Sequence, residues 1–371
     1  QIQLGQFGTH RIATLYAHRR QDKLTTTDLD IKVIASPHGL YQALGQGEQA
    51  IHSSVIDGRQ PIQKFTGYHP PMFSYRHAFH AGNHADVLKH ATLVWVLRHM
   101  TEKPVPLMVV DTHAGAGLYR LDSDAAHTSG EMLEGVERLR AHLQTQGHTP
   151  SELLTSYLDV LNHFQAVAGD ATYPGSPFIS KHLLRPEDKL KLFELHPSDA
   201  RLLEKHVEQL KALRQVAVLR EDGFEQSKKF LPPPSRRGLV LMDPSYELKT
   251  DYARVVETLK DHLKRFATGT YMVWFPIIAR PESQDLPRRL KTLAQQAGKD
   301  WLLATLRIKS GKPDSTASVP GQARARPGLV ASGVFLVNPP YTLKPALALA
   351  LPELVAALGQ DKQSGFSLES N

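Results

Sequence analysis

The chain has 371 residues, 41% of them hydrophobic, which is enough apolar surface for one large α/β domain or two smaller ones. It contains no cysteine, which excludes disulfides, thiolate-bound zinc, iron–sulfur chemistry and any thiol nucleophile, and with them the cysteine-adduct route to carbon methylation of pyrimidines. A net charge of +7 suits a polyanionic partner.

Residues 1–71 are scattered with glutamine and glycine and carry only short apolar runs, with no sustained period. They read as an extra N-terminal segment, disordered or mis-initiated, with Met72 as the natural start. No charged, apolar and small-residue order of a secretory signal opens the chain, so a cytoplasmic protein is expected.

The segment Tyr75 to His90 feeds a helix whose stripe is Val87, Leu88, Ala91, Val94 and Trp95. Its histidines lack a His-Glu-x-x-His pattern and an acid at ligand spacing, so no metal is expected. Lys89 and His90, polar residues on an apolar helix, suit a ligand crevice instead.

Pro106 to Gly117 reads as a buried strand ending at Asp111 and running into a small-residue turn, His113-Ala114-Gly115-Ala116-Gly117. Arg120 stands where a dinucleotide fingerprint needs its third glycine, which disfavours a nicotinamide dehydrogenase. The next acid at a strand tip, Glu194, lies far beyond the usual spacing of about 20 residues, so something is inserted. Helical spacing over Gly130–Leu143 and Ser151–Ala166 assigns residues 120–172 to a small helical subdomain, closed by the turn Tyr173-Pro174-Gly175-Ser176-Pro177.

Strand and helix then alternate. A helix spans 200–213, a strand 216–220 ends at Glu221-Asp222-Gly223, a helix covers 252–266 and a strand 270–275. Between them, Leu239 to Met242 is an apolar run of the kind buried on both faces of a parallel sheet, and it ends at Asp243-Pro244-Ser245-Tyr246. In such sheets ligands gather at the carboxyl ends of the strands, where Asp243, Glu194 and Asp222 all fall. By itself the tetrapeptide is a strand end and a turn, and acids after strands are often helix caps. The chemical alternative is methylation of an exocyclic amine. The Asp243 carboxylate and the Pro244 carbonyl accept the amine's N–H bonds and localise its lone pair, while Tyr246 offers a flat face to the base.

Residues 310–332, rich in Gly, Pro and basic side chains, read as a mobile loop that can grip a nucleic-acid backbone. A last strand, 334–337, precedes Asn338-Pro339-Pro340-Tyr341, which is read as a turn. Residues 346–371 are left as a tail; their longest aliphatic stretch is broken by Pro352 and Glu353 and is too short for a bilayer.

Together these motifs resemble the RlmJ family of large-subunit ribosomal RNA adenine-N6 methyltransferases. The resemblance covers 72–345 and is carried by the run from Tyr75 to His90, Asp-Thr-His-Ala-Gly-Ala-Gly from Asp111, Tyr-Pro-Gly-Ser-Pro from Tyr173 and Glu-Leu-His-Pro-Ser-Asp from Glu194. It implies a Rossmann-like α/β sheet binding S-adenosylmethionine, with the helical insertion at 120–172 inside a 72–345 methyltransferase domain. It further implies a cofactor pocket of Lys89, His90, His113, Ser176, Glu194, Asp222, Gly223 and Asp243. Asp243 becomes the catalytic acceptor, and Tyr75, Pro244 and Tyr246 meet the substrate, an adenine of 23S ribosomal RNA, with the enzyme acting as a monomer. The chain departs from the family's Asp-Pro-Pro-Tyr at Ser245, which loosens the loop and spares the Pro244 carbonyl. DNA adenine methylation and a non-catalytic RNA-binding assembly factor are the rival readings.

Overall fold

Asn83 starts the first long element. Its side chain accepts from the backbone N–H groups of Ala85 and Asp86, capping helix α1, His84–Thr101. This helix is buried nearly all round, because other helices cover one side and the sheet covers the other. Each fully buried leucine or valine in it contributes roughly 1.5–3 kcal/mol.

The computed structural model describes residues 77–124, 130–147, 149–310 and 329–371. The expectations for residues 1–71, for Tyr75 and for most of the 310–332 loop lie outside these residues.

Among the described residues ten strands follow in chain order: β1 (Met108–Asp111), β2 (Leu118–Arg120), β3 (Thr172–Pro174), β4 (Lys189–Phe193), β5 (Val216–Leu219), β6 (Gly238–Met242), β7 (Thr270–Pro276), β8 (Trp301–Arg307), β9 (Ala331–Val337) and β10 (Gly365–Ser370). Eight of them form one sheet in the order β10-β8-β9-β7-β6-β1-β4-β5. From β5 to β7 neighbouring strands pair in parallel, and β9, β8 and β10 add antiparallel pairings. The parallel part, with helices returning over both faces, is the expected doubly wound arrangement.

Alternation along β6 shows how the faces are filled. Leu239 and Leu241 join the core that contains α1, while Val240 and Met242 join a second core on the other face. Two further helices, α2 (Val136–Gln146) and α3 (Glu152–Ala168), occupy the predicted insertion. Their Leu139, Leu154, Tyr157 and Leu161 lie in the same core cluster as α1, so the insertion shares the core of the sheet. It is flanked by the two-stranded β2–β3 pair.

The C-terminal residues differ from the expected tail. Leu343–Leu358 is a helix that runs through Pro352, and its Leu347, Leu351, Leu354 and Leu358 are fully buried. Glu353 accepts hydrogen bonds from the backbone N–H and hydroxyl of Ser151, tying this helix to the start of α3. Residues 365–370 then pair with β8 as an edge strand. Burial and strand pairing both come from distant residues, which a local reading of 346–371 does not contain. The strand after the basic loop also begins at Ala331, inside the range assigned to the loop.

Candidate active site

The strands β1, β4, β5 and β6 end along one edge, and the loops beyond them enclose a cavity of about 400 Å³. Small-molecule sites span about 300–1,000 Å³. Lys89, His90, His113, Ser176, Glu194, Asp222, Gly223, Asp243 and Pro244 all line it. These residues are spread over more than 150 positions of sequence, and parallel pairing brings their strand tips together.

At the β6 tip, the Asp243 carboxylate accepts a 2.6 Å bond from the Lys89 ammonium, which also reaches Asp86 at 2.8 Å. The lysine is almost wholly buried and lies over the Trp274 ring at 5.6 Å. Burial alone would lower its pKa, but the two carboxylates raise it above the usual lysine value. Asp86 shows the reverse balance. Burial opposes its charge, yet His77, Lys89 and His90 hold its carboxyl well below the usual range.

The tips of β1 and β4 carry two acids of another kind. Asp111, fully buried, is pushed up to about 6 by burial although the Ser176 hydroxyl donates to it at 2.6 Å. Burial likewise raises Glu194 to about 7, against two backbone N–H bonds from His196 and Gly115, each 2.7 Å. His113 is pushed down to about 4 by burial and sets its ring edge on Phe224, centroids 4.6 Å apart. His90, buried against the Tyr173 hydroxyl at 2.8 Å, is also held neutral.

At the β5 tip Asp222 caps the short helix Gly223–Gln226, accepting from Phe224 N, and is gripped by Arg254 at 2.6 Å. The Arg254 guanidinium in turn covers the Phe224 ring at 4.4 Å. Gly223 is required by a close approach, since a Cβ there would lie 2.0 Å from the Thr112 carbonyl oxygen.

Tyr246 departs from its expected place. It has φ +54, its hydroxyl donates to the Trp274 carbonyl at 2.7 Å, and its ring packs on Tyr252 inside the core. Only 3% exposed, it does not line the cavity and presents no free face to a base. The positive φ turns the chain so that the ring points into the core. Sequence reasoning also missed His77, Asp86 and Arg254. Asp86 and Lys89 are one helical turn apart on α1, which was the available signal.

Asn338-Pro339-Pro340-Tyr341 lies away from this cavity because β9 runs antiparallel to β7, so its tip emerges at the opposite edge of the sheet. There the four residues line a separate cleft with His99, Lys103 and Arg237. Among the described residues no three His, Cys, Asp or Glu side chains converge as metal donors. No helix among them is long and apolar enough to cross a membrane.

Comparison with known proteins gives a consistent picture. A family described as "Ribosomal RNA large subunit methyltransferase D, RlmJ" matches residues 104–369, which takes in the C-terminal helix and β10. The Escherichia coli protein "Ribosomal RNA large subunit methyltransferase J" is 42% identical over 287 residues, 77% of this chain and 94% of the relative. Its Haemophilus influenzae namesake is 38% identical over 299 residues, 80% of this chain and 98% of the relative. Among solved structures, protein LPL1258 of Legionella pneumophila superposes with a TM-score of 0.64 at 30% identity, covering 79% of this chain and 98% of that one.

Proposed function

The chain belongs to the RlmJ family of ribosomal RNA large subunit methyltransferases, and from that premise we propose that it methylates the exocyclic N6 amine of an adenine in 23S ribosomal RNA, using S-adenosylmethionine. The observation that carries the chemistry is Asp243, followed by Pro244, at the tip of a buried parallel strand and at the wall of the cavity.

The residues present fit the cofactor. Glu194 uses one lone pair on each oxygen for a backbone N–H and keeps capacity for ribose hydroxyls, and Asp222 at the next strand tip suits an adenine amine. Asp86, Lys89 and Asp243 together carry one net negative charge, which is compatible with a sulfonium. When bound, the cofactor supplies an activated methyl group.

The protein's own part is to make a poor nucleophile competent. An adenine amine shares its lone pair with the ring. Acceptance of its N–H bonds by the Asp243 carboxylate and the Pro244 carbonyl returns that pair to the nitrogen and stabilises the positive charge growing on it. Because Lys89 engages one oxygen of Asp243, the other remains for the amine. The basic 310–332 loop and Tyr75 are assigned to RNA contact from sequence alone. A monomer acting on ribosomal RNA in the cytoplasm is the state proposed. The 72–345 core, extended by the C-terminal helix and strand, is the catalytic domain.

DNA methylation and a silent assembly role are not favoured, since the curated relatives are named as RNA methyltransferases. The deciding experiment supplies methyl-labelled S-adenosylmethionine with stripped 23S RNA or with DNA, followed by nucleoside mass analysis. N6-methyladenosine in RNA, absent with Asp243→Ala, is expected. Label entering DNA alone, or no label at all, refutes the reading.

A further inference from the structure

The buried carboxylate of Asp86 lies behind the cavity wall and does not line the cavity. It is 2% exposed. One oxygen accepts from Gly82 N at 2.9 Å and faces His77 Nε2 at 3.0 Å. The other takes the Lys89 ammonium at 2.8 Å, with His90 Nε2 further off at 3.9 Å. Lys89 is thereby shared between two carboxylates, one on its own helix and one at the β6 tip.

We infer that Asp86 is a positioning residue for methyl transfer: it fixes the Lys89 ammonium, and through it the rotamer of Asp243 that leaves one oxygen open to the target amine. The inference rests on the methyl-transfer reading above and adds to it a residue that touches neither cofactor nor substrate.

Two physical arguments carry it. A lysine side chain has four rotatable carbons, and one partner at its tip does not fix them. A second partner, three residues earlier on the same rigid helix and itself pinned by Gly82 N, removes that freedom. The charge count points the same way. Lys89 and Asp243 alone are neutral as a pair, which would weaken the pull of Asp243 on an amine becoming positive. Asp86 restores one net negative charge to the three groups, and its attraction to Lys89 is strong because both are buried.

The test uses the full chain with Asp86→Asn, and with Asp86→Glu as the conservative rescue. Single-turnover methylation of 23S RNA is read beside calorimetric titration with S-adenosylhomocysteine and thermal melting. Asp86→Asn is expected to lose on the order of 10- to 100-fold in single-turnover rate, the cost of an ångström-scale misplacement, while affinity for the cofactor product stays within about threefold. Asp86→Glu is expected to recover part of the rate. A rate within about twofold of the parent overturns the inference, as does a loss of rate matched by an equal loss of affinity and melting temperature.

A second measurement decides the matter if Asp86→Asn does not fold. Nitrogen-15 NMR of the lysine ammonium groups in Asp243→Asn should still show an ordered, slowly exchanging Lys89 signal, because Asp86 holds it. Loss of that signal means Asp86 does not position the lysine. An unmodified chain that transfers no methyl to RNA would sink the functional reading instead, and the NMR result stands apart from it.

Discussion

Gly223→Ala isolates the close approach on which the cavity depends. An alanine Cβ would sit 2.0 Å from the Thr112 carbonyl oxygen and 2.7 Å from its carbon, both backbone atoms, where real contacts essentially never fall below 3.0 Å. The loop after β5 and the turn after β1 must therefore separate by about 1 Å. Neither side can yield by a rotamer change, since Thr112 N and its hydroxyl are bonded to Leu241 O and Asp222 caps the helix that Gly223 begins. Overpacking of this kind costs about 1–3 kcal/mol. For a domain of this size that lowers the melting temperature by roughly 2–4 °C per kcal/mol. The movement also displaces Asp222 and His113 from each other across the pocket, so affinity for S-adenosylmethionine should fall about tenfold, equivalent to ~1.4 kcal/mol. Scanning calorimetry and cofactor titration read both effects. Gly365→Ala serves as control, because a Cβ there meets nothing within 4 Å. A Gly223→Ala chain with parental melting temperature and affinity would show that the two loops do not meet as described.

Asp243→Asn should keep cofactor affinity and lose on the order of 100-fold in turnover, read by titration and single-turnover methylation; parental turnover would remove Asp243 from the chemistry. Burial holds Glu194 at about 7 in the free protein, so its ionised form grows between pH 6 and 8, and cofactor affinity should rise by about tenfold over that range. In Glu194→Gln this pH dependence of the titration should flatten. The linked stability has the opposite sense: the pKa is raised above its usual 4.5, so the contribution of Glu194 is full below that value and is lost as pH rises through 7. Tyr75→Ala should weaken RNA methylation by the equivalent of about 1–3 kcal/mol of lost stacking while calorimetry with cofactor stays unchanged, and equal losses in both would mean a packing role. A chain beginning at Met72 should melt and methylate like the full chain, and a large fall in melting temperature would refute that.

Much of this protein was legible locally. A parallel strand buried on both faces must be an unbroken apolar run, so Leu239 to Met242 declares itself, and the acid that ends such a run emerges at the ligand edge. The helical period of 130–143 and 151–166 gave α2 and α3 for the same reason, because one face of each must find a core. Eight residues assigned to the cofactor from motifs converge on one cavity.

What local pattern does not contain is a partner. Residues 346–371 look like a tail until the helix Leu343–Leu358 is seen to bury its leucines and β10 to pair with β8. Asn338-Pro339-Pro340-Tyr341 has the letters of an active-site loop, but the antiparallel direction of β9 carries it to the other edge. Tyr246 belongs by composition with the base-binding groups, yet a positive φ and the Trp274 carbonyl take its ring into the core. The chain of contacts from His77 through Asp86 and Lys89 to Asp243 joins a turn, a helix and a strand. Its strength depends on exclusion of water, and that exclusion is made only when those three elements pack together.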